Sequence, residues 1–350
     1  MPIYRKTLYI AGLMTVAEAI TLKRLMLLTV ILAVAVTCLG CIFSPEEKKG
    51  DLTQLRIGYQ PSTHQAAYMV AQDKGWWAED LKPFGITEIK EFEFPSGPPE
   101  MQAMLAGDLD VAYVGTAPPI TAIAQGLDAK LVAGVNINGS DLVFKNGLTY
   151  RGPRSLEGLS IATFPPGSIQ DLVLRKWLKD NEVDISKVKV LPMGPGDAVT
   201  AISAGKVDGV FLPHTSPAIV EIEGKGNVVV PSGKMWPDHA CCSLLVSGKL
   251  IREHPGLVEQ IVKTHIKATN YINVNPEAAA IIYVNKTNQD LDMVKRSISE
   301  WDGRWISNPH LQVNSTVQYA EVDYHMNYIQ RLPTKEDLFD TSFYEKVKQS

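Results

Sequence analysis

Hydroxyl and glycine residues recur in this chain at one kind of place: just after a run that reads as a buried strand, and just before one that reads as a helix. Ser62-Thr63, Ser96-Gly97, Thr116-Ala117 and His214-Thr215 all stand at such junctions. A helix N-terminus leaves backbone N–H groups without partners and carries the positive end of the helix dipole. Small residues let a ligand approach that backbone, which makes an anion site with no charged side chain. No Arg or Lys occupies those loops. The chemistry on offer is therefore the grip of a small anion by neutral donors. The candidate ligand-binding residues are Gln60, Ser62, Ser96, Gly97, Thr116, Ala117, Ser168, His214, Thr215 and Trp236, with Tyr59 and Phe164 as further apolar walls. Any single hydroxyl could be only a helix cap; their recurrence is what points to a site.

Other reactive types are sparser. His64, His214, His239 and Cys241-Cys242 are types that soft metals use, but no short-range ligand spacing joins them, so no metal site is expected. Adjacent cysteines on a strand point to opposite faces, so free, partly buried thiols are expected here. Asp110 and Asp208 could suggest a catalytic pair. Each instead precedes its strand, far from the carboxyl end, and reads as a solvent-facing turn residue. No nucleophile–base arrangement is present, so neither catalytic residues nor a cofactor are expected.

The elements that must position these loops show an internal repeat. Glu100–Gly126 reads as a short helix, a buried strand over Val111–Gly115, and a second helix opening at Thr116. Asp197–Gly224 repeats it at a constant offset of 98 residues (106 to 204, 119 to 217). A period near 100 residues is about one domain long, too long for a solenoid unit. Around each copy, strands and helices alternate, which argues for parallel sheets flanked by helices. In such sheets ligands bind at the carboxyl ends of strands. Leu55–Tyr59, Glu91–Phe94, Leu159–Ala162 and Val188–Leu191 are further strands, Cys241–Val246 is a return strand, and His254-Pro255 opens a long helix. Met293–Trp305 and the tail read as helical cover. Trp76-Trp77 follow a helix C-cap and read as packing.

With 350 residues there is room for two domains, and 45% hydrophobic with 21% charged residues is ordinary for a globular chain. The net charge of −4 and the lack of a basic stripe exclude nucleic acid as an expected partner. Four cysteines make no disulfide framework. Leu25–Phe43 is uncharged and apolar, follows Lys23-Arg24, and ends in Leu39-Gly40-Cys41, so it reads as a secretory leader with a partial lipobox. Cys41 would carry the lipid; the bland alternative is an uncleaved membrane anchor. Either reading places the folded part outside the cytoplasmic membrane. Asn138, Asn285 and Asn314 begin glycosylation sequons, which matter only in an organism that uses them.

Ile57-Gly58-Tyr59-Gln60, Ser96-Gly97, Met104–Ala112, Leu156–Ala162, Ala204–Gly209, His254-Pro255 and Tyr271–Pro276 occur in an order that resembles the solute-binding proteins of ABC importers in the nitrate, sulfonate, taurine and thiamine-precursor group. The resemblance implies an α/β, two-lobed, type II periplasmic-binding-protein fold. It implies a leader at 1–41, a tether at 42–54, one lobe from 55–140 plus 243–350, and a second from 141–242. A small anionic, sulfonate- or nitrate-like solute would lie between the lobes and pass to a permease driven by an ATPase, from a lipid-anchored monomer on the extracytoplasmic face of the cell membrane. The alternative is an enzyme on the same fold, such as a pyrimidine-synthase-like protein of cofactor biosynthesis; secretion argues against it.

Overall fold

Alternation of strand and helix sets the architecture of the computed structural model, which describes residues 52–349. The leader, Cys41 and most of the tether lie outside the described residues. Among the described residues no helix is long and apolar enough to cross a membrane.

Among the described residues, eleven strands form two sheets: β1 (Gln54–Tyr59), β2 (Glu88–Glu93), β3 (Val111–Gly115), β4 (Ala129–Ile137), β5 (Ser140–Lys145), β6 (Ser160–Thr163), β7 (Lys189–Pro192), β8 (Gly209–Pro213), β9 (Gly226–Pro231), β10 (Ala240–Ser247) and β11 (Arg304–Trp305). The first sheet has the order β11-β4-β10-β3-β1-β2 and the second β7-β6-β8-β5-β9. The longer helices are α1 (Ala66–Asp73), α2 (Gly97–Leu105), α3 (Ala117–Ala124), α4 (Ile169–Asp180), α5 (Pro195–Ser203), α6 (Ser216–Ile222), α7 (Pro255–Val274), α8 (Pro276–Thr287), α9 (Leu291–Glu300), α10 (His310–His325) and α11 (Ser342–Gln349).

The repeat is visible in space. In each half a parallel trio (β2-β1-β3 and β7-β6-β8) pairs with an antiparallel strand beside its third member. That strand comes from across a crossing. The chain leaves the first sheet after β4 and enters the second as β5, beside β8; it leaves after β9 and returns as β10, beside β3. Each sheet is thus mixed rather than mainly parallel. Strand–helix alternation reveals the parallel trios, whereas the exchanged strands depend on pairings 65 to 135 residues apart in sequence, which local pattern does not carry. The crossings occupy Asn138-Gly139 and Ser232–His239. Trp77 is fully buried, as expected. The Met293–Trp305 segment is not one helix: α9 stops at Glu300 and Arg304-Trp305 add an edge strand to β4.

Asp110 and Asp208 are not solvent-facing turn residues. Asp110 is 8% exposed; its carboxylate accepts from the Arg56 backbone N–H and guanidinium at 2.7–3.0 Å, and its own N–H donates to the Arg56 carbonyl at 2.9 Å. Asp208 does the same one repeat later. It accepts from the Ser160 N–H and hydroxyl at 2.8 and 2.7 Å, pairs with Lys145 at 2.7 Å, and donates its N–H to the Ser160 carbonyl. Each aspartate therefore staples the start of the repeat strand to the first strand of its trio. The Lys145 hydrogen bond, and then that of the Ser160 N–H, holds the Asp208 carboxyl below its ordinary 3.8, at about 2. A depressed carboxyl contributes stability above its unfolded pKa, and that contribution is lost as pH falls through the folded value. Asp208→Asn should therefore cost about 1 kcal/mol near neutral pH, since the pair is partly exposed. The cost should shrink between pH 4 and pH 2 in urea unfolding. A cost independent of pH across that window would remove the staple.

Candidate functional site

The carboxyl ends of the parallel trios meet across one cavity of about 360 Å³. Gln60-Pro61-Ser62 enter it from the end of β1, Phe94-Pro95 from β2, Gly115 from β3, Phe164 from β6 and Pro213-His214-Thr215 from β8. Helices start at those ends, so their first turns supply the walls: Gly97 of α2, Pro118 of α3, Ile169-Gln170 of α4, Pro195-Gly196 of α5 and Ser216 of α6. No lysine or arginine is among the lining residues. The rest is largely apolar: Pro61, Phe94, Pro118, Phe164, Val199 and Ile219.

The structure brings Gln60, Ser62, Gly97, Ser168, His214 and Thr215 to this wall. It does not bring Ser96, Thr116, Ala117 or Trp236 there. Ser96 is buried one residue behind Gly97. Thr116 is fully buried; its hydroxyl bonds Ser243 at 2.7 Å and its N–H donates to the Cys241 carbonyl at 2.8 Å, so both groups serve β10. Ala117 is core. Trp236 packs edge-on against Tyr319 with Lys176 over its ring, away from the cavity. Tyr59 is core, whereas Phe164 is a wall as expected. Sequence reasoning missed His64, Gln65, Gln170, Cys241, Cys242, Tyr283 and Gln289 as wall residues. Gln65 and Gln170 were within reach, one in a strand-end loop and one in a first turn. Tyr283 and Gln289 arrive from the C-terminal return, and no local signal marks them.

Most polar groups of the wall are held by neighbours. His214 is 4% exposed, with Nε2 2.6 Å from the Asp141 carboxylate and Nδ1 2.8 Å from Ser297 Oγ. Both ring nitrogens are thus spent on linking β8 to β5 and α9, and neither is free to donate to a ligand. Gln289 accepts from the Thr215 hydroxyl and donates to Tyr283. Ser168 caps α4 through the Asp171 N–H. Gln60 donates to Glu100 at 2.8 Å, and the other Glu100 oxygen has no partner. Burial pushes the Glu100 carboxyl well above the usual range. Cys242 is the more acidic thiol, held at about 6 chiefly by the hydrogen bond from Cys241, while Cys241 is pushed up.

A cavity between two sheets, floored by strand ends and helix starts, matches known proteins over most of the chain. The profile of the NMT1-like family matches residues 48–284. The chain belongs to the NMT1-like family. A protein of Bacillus subtilis (strain 168), named as an aliphatic sulfonates-binding protein, is 26% identical over 331 residues, 91% of this chain and 96% of its own length. Among solved structures, the alkanesulfonate-binding protein SsuA of Xanthomonas axonopodis pv. citri, bound to MOPS, superposes with a TM-score of 0.70 at 20% identity, covering 82% of this chain and 96% of that one. The periplasmic nitrate-binding protein NrtA of Synechocystis PCC 6803 gives 0.74 at 14% identity, covering 85% and 89%. The NMT1-like chain therefore has the α/β type II periplasmic-binding-protein fold that its motif order implied.

Two outcomes follow for the wall. His214→Ala leaves Asp141 buried without its partner and should cost about 3 kcal/mol of stability, read as a lower urea midpoint; an unchanged midpoint would show that the ring is not a cross-link. Burial raises the Glu100 carboxyl, so the fold holds its proton to higher pH than the unfolded chain, which releases it above about pH 4. A raised carboxyl penalises folding as pH rises through that window, so Glu100→Gln should gain stability relative to wild type between pH 4 and pH 7. Parallel pH curves for the two proteins would contradict a neutral Glu100.

Proposed function

We propose that this protein is the extracytoplasmic solute-binding component of an ABC importer, not an enzyme. It takes a small sulfonate- or nitrate-like anion in the cavity between its sheets and delivers it to a permease and its ATPase. The observation that carries this reading is the convergence of five helix N-termini on one cavity with no lysine or arginine in its wall. Partial positive charge from those termini attracts an anion, and the N–H groups of non-proline wall residues such as Gly97 and Gly196 replace its water, Pro118 and Pro195 having none to give. The names of the relatives, for sulfonate and nitrate binding, agree with that charge.

The apolar walls favour a solute with a hydrocarbon body over a bare inorganic anion, because burying that body adds roughly 25 cal/mol per Å². The two sheets, β1–β4 with β10 and β11 in one and β5–β9 in the other, act as lobes that close on the solute by rotating about the crossings near Gly139 and Ser232–His239. The chain works as a monomer, tethered through a lipid on Cys41.

Thermal melting against a panel of alkanesulfonates of increasing length, taurine, nitrate and phosphate tests this. A true solute at 100 times its Kd should stabilise by about 2.7 kcal/mol, a rise of a few degrees for a chain of this size. Alkanesulfonates should exceed nitrate. Conversion of any of them into product would sink the binding-protein reading, and a flat response across the panel would sink the anion.

A further inference from the structure

Three groups on the cavity wall take no part in that grip. Cys241 and Cys242 were expected on opposite faces of a strand. In β10 the pairing with β4 slips between Ala240 and Cys242 and again between Cys242 and Ser243, so Cys241 is a bulged residue opposite no partner. A bulge re-aims the side chain it carries. Both thiols consequently face the same way, with Sγ atoms 4.0 Å apart, and both reach the cavity. His64, from the loop after β1, places Nδ1 3.2 Å from Cys241 Sγ. The three ligand atoms lie within 4.8 Å of one another, all in buried residues.

The imidazole is prepared for the role. Its Nε2 is 2.8 Å from the Gly139 carbonyl, which can only accept, so Nε2 carries the proton and Nδ1 keeps its lone pair toward the thiols. Metal-bound histidines are characteristically held this way through their second nitrogen. Gly139 has φ +91°, and a Cβ there would lie 2.9 Å from His64 Nε2, so glycine is what permits this approach. Gln65 Nε2 points at Cys242 Sγ from 3.8 Å, a donor suited to a metal-bound thiolate.

We propose that His64 Nδ1, Cys241 Sγ and Cys242 Sγ bind a thiophilic dication, Zn²⁺, on the wall of the cavity. In tetrahedral zinc, bonds of about 2.3 Å to sulfur and about 2.0 Å to nitrogen imply S···S of about 3.8 Å and N···S of about 3.5 Å; the observed 4.0 Å and the 3.2 Å from His64 to Cys241 differ by a few tenths, and the His64–Cys242 pair, within 4.8 Å, closes on the metal by a side-chain movement. The set contains no carboxylate, which disfavours Mg²⁺ and Ca²⁺. Charge balances: two thiols release their protons to solvent, and two thiolates neutralise the dication in a wall that has no lysine or arginine. Three protein ligands leave a fourth position for the cavity, where a donor atom of a bound molecule or a water completes the shell. A disulfide is the rival use of the pair, and its 2.05 Å bond would need the sulfurs to move together by about 2 Å.

The test uses the full chain, reduced and kept under argon, with no solute present, so its failure leaves the solute-binding reading standing. Zn²⁺ is titrated against a competing chelator, and Co²⁺ is used as its spectroscopic stand-in. One Zn²⁺ per chain, thiolate-to-Co²⁺ charge-transfer bands with tetrahedral ligand-field absorption, and protection of two thiols from alkylation are expected. Cys241→Ser, Cys242→Ser and His64→Gln should each weaken binding roughly tenfold or more. The double serine variant still carries Cys38 and Cys41 and measures their share. Equal uptake by that variant, a Co²⁺ spectrum without thiolate bands, or a Cys241–Cys242 disulfide formed in place of metal binding would overturn the site. Should the serine variants not fold, the wild-type Co²⁺ spectrum and thiol protection decide alone.

Discussion

The first of the two crossings between the sheets, Asn138-Gly139, turns on a glycine whose N–H and carbonyl are both engaged. The Gly139 carbonyl accepts from His64 Nε2 at 2.8 Å and from the His214 N–H at 3.0 Å, one donor from each side of the cavity. Its own N–H donates to the Asp302 carboxylate at 2.8 Å, and the same carboxylate takes the Gly233 N–H of the second crossing at 2.7 Å. Asp302 thus joins both crossings to the segment between α9 and β11. Trp301, beside it, lies against His64 and His214, with ring centroids 5.3 and 6.4 Å apart. A Cβ on Gly139 would stand 2.9 Å from both His64 and Trp301. Any larger residue would push the histidine off the cysteines and the tryptophan off the crossing.

That constraint explains why the C-terminal return is needed. The repeated halves could each close a parallel trio, but their exchanged strands leave the crossings in the middle of the molecule. There polar backbone must be satisfied without bulk water. The return supplies the partners: Asp302 to Gly139 and Gly233, Gln312 to the carbonyls of Asn136 and Cys242, and Ser315 to the Ala240 N–H. The last third of the chain therefore completes the crossings as well as covering the first sheet.

The sequence shows clearly those features that depend on neighbours within a few residues. The repeat, the strand-to-helix junctions and the absence of basic loops were all legible, and Ser62, Gly97, Ser168 and Thr215 reach the cavity because each stands where a strand ends. Thr116 failed for a long-range reason: β10 lies beside β3 and claims its hydroxyl and N–H. Asp110 and Asp208 look like turn residues in the sequence because their partners, Arg56 and Ser160, lie 54 and 48 residues away. The cysteine pair is the sharpest case. Period-two alternation is a sound rule for a regular strand, and a bulge is the one local event that cancels it. Nothing in Ala240–Ser243 announces the bulge, because it arises from how β10 fits between β3 and β4.

A cavity without fixed charge also sets what kind of selectivity is available to it. A lysine or arginine would hold any anion of the right sign. Helix N-termini carry only partial charge and act through directed N–H groups, so an anion is favoured to the extent that its oxygens meet those directions. Around them the structure has spent most side-chain donors on each other: His214 on Asp141 and Ser297, Gln170 on Ser140, Thr215 on Gln289. Glu100 is buried behind Gln60, and desolvation pushes its carboxyl toward the protonated form, which adds no negative field to oppose the ligand. An ionised Glu100 would work against the dipoles that converge on the cavity. The burial that costs stability at neutral pH is therefore the same burial that keeps the site fit for an anion.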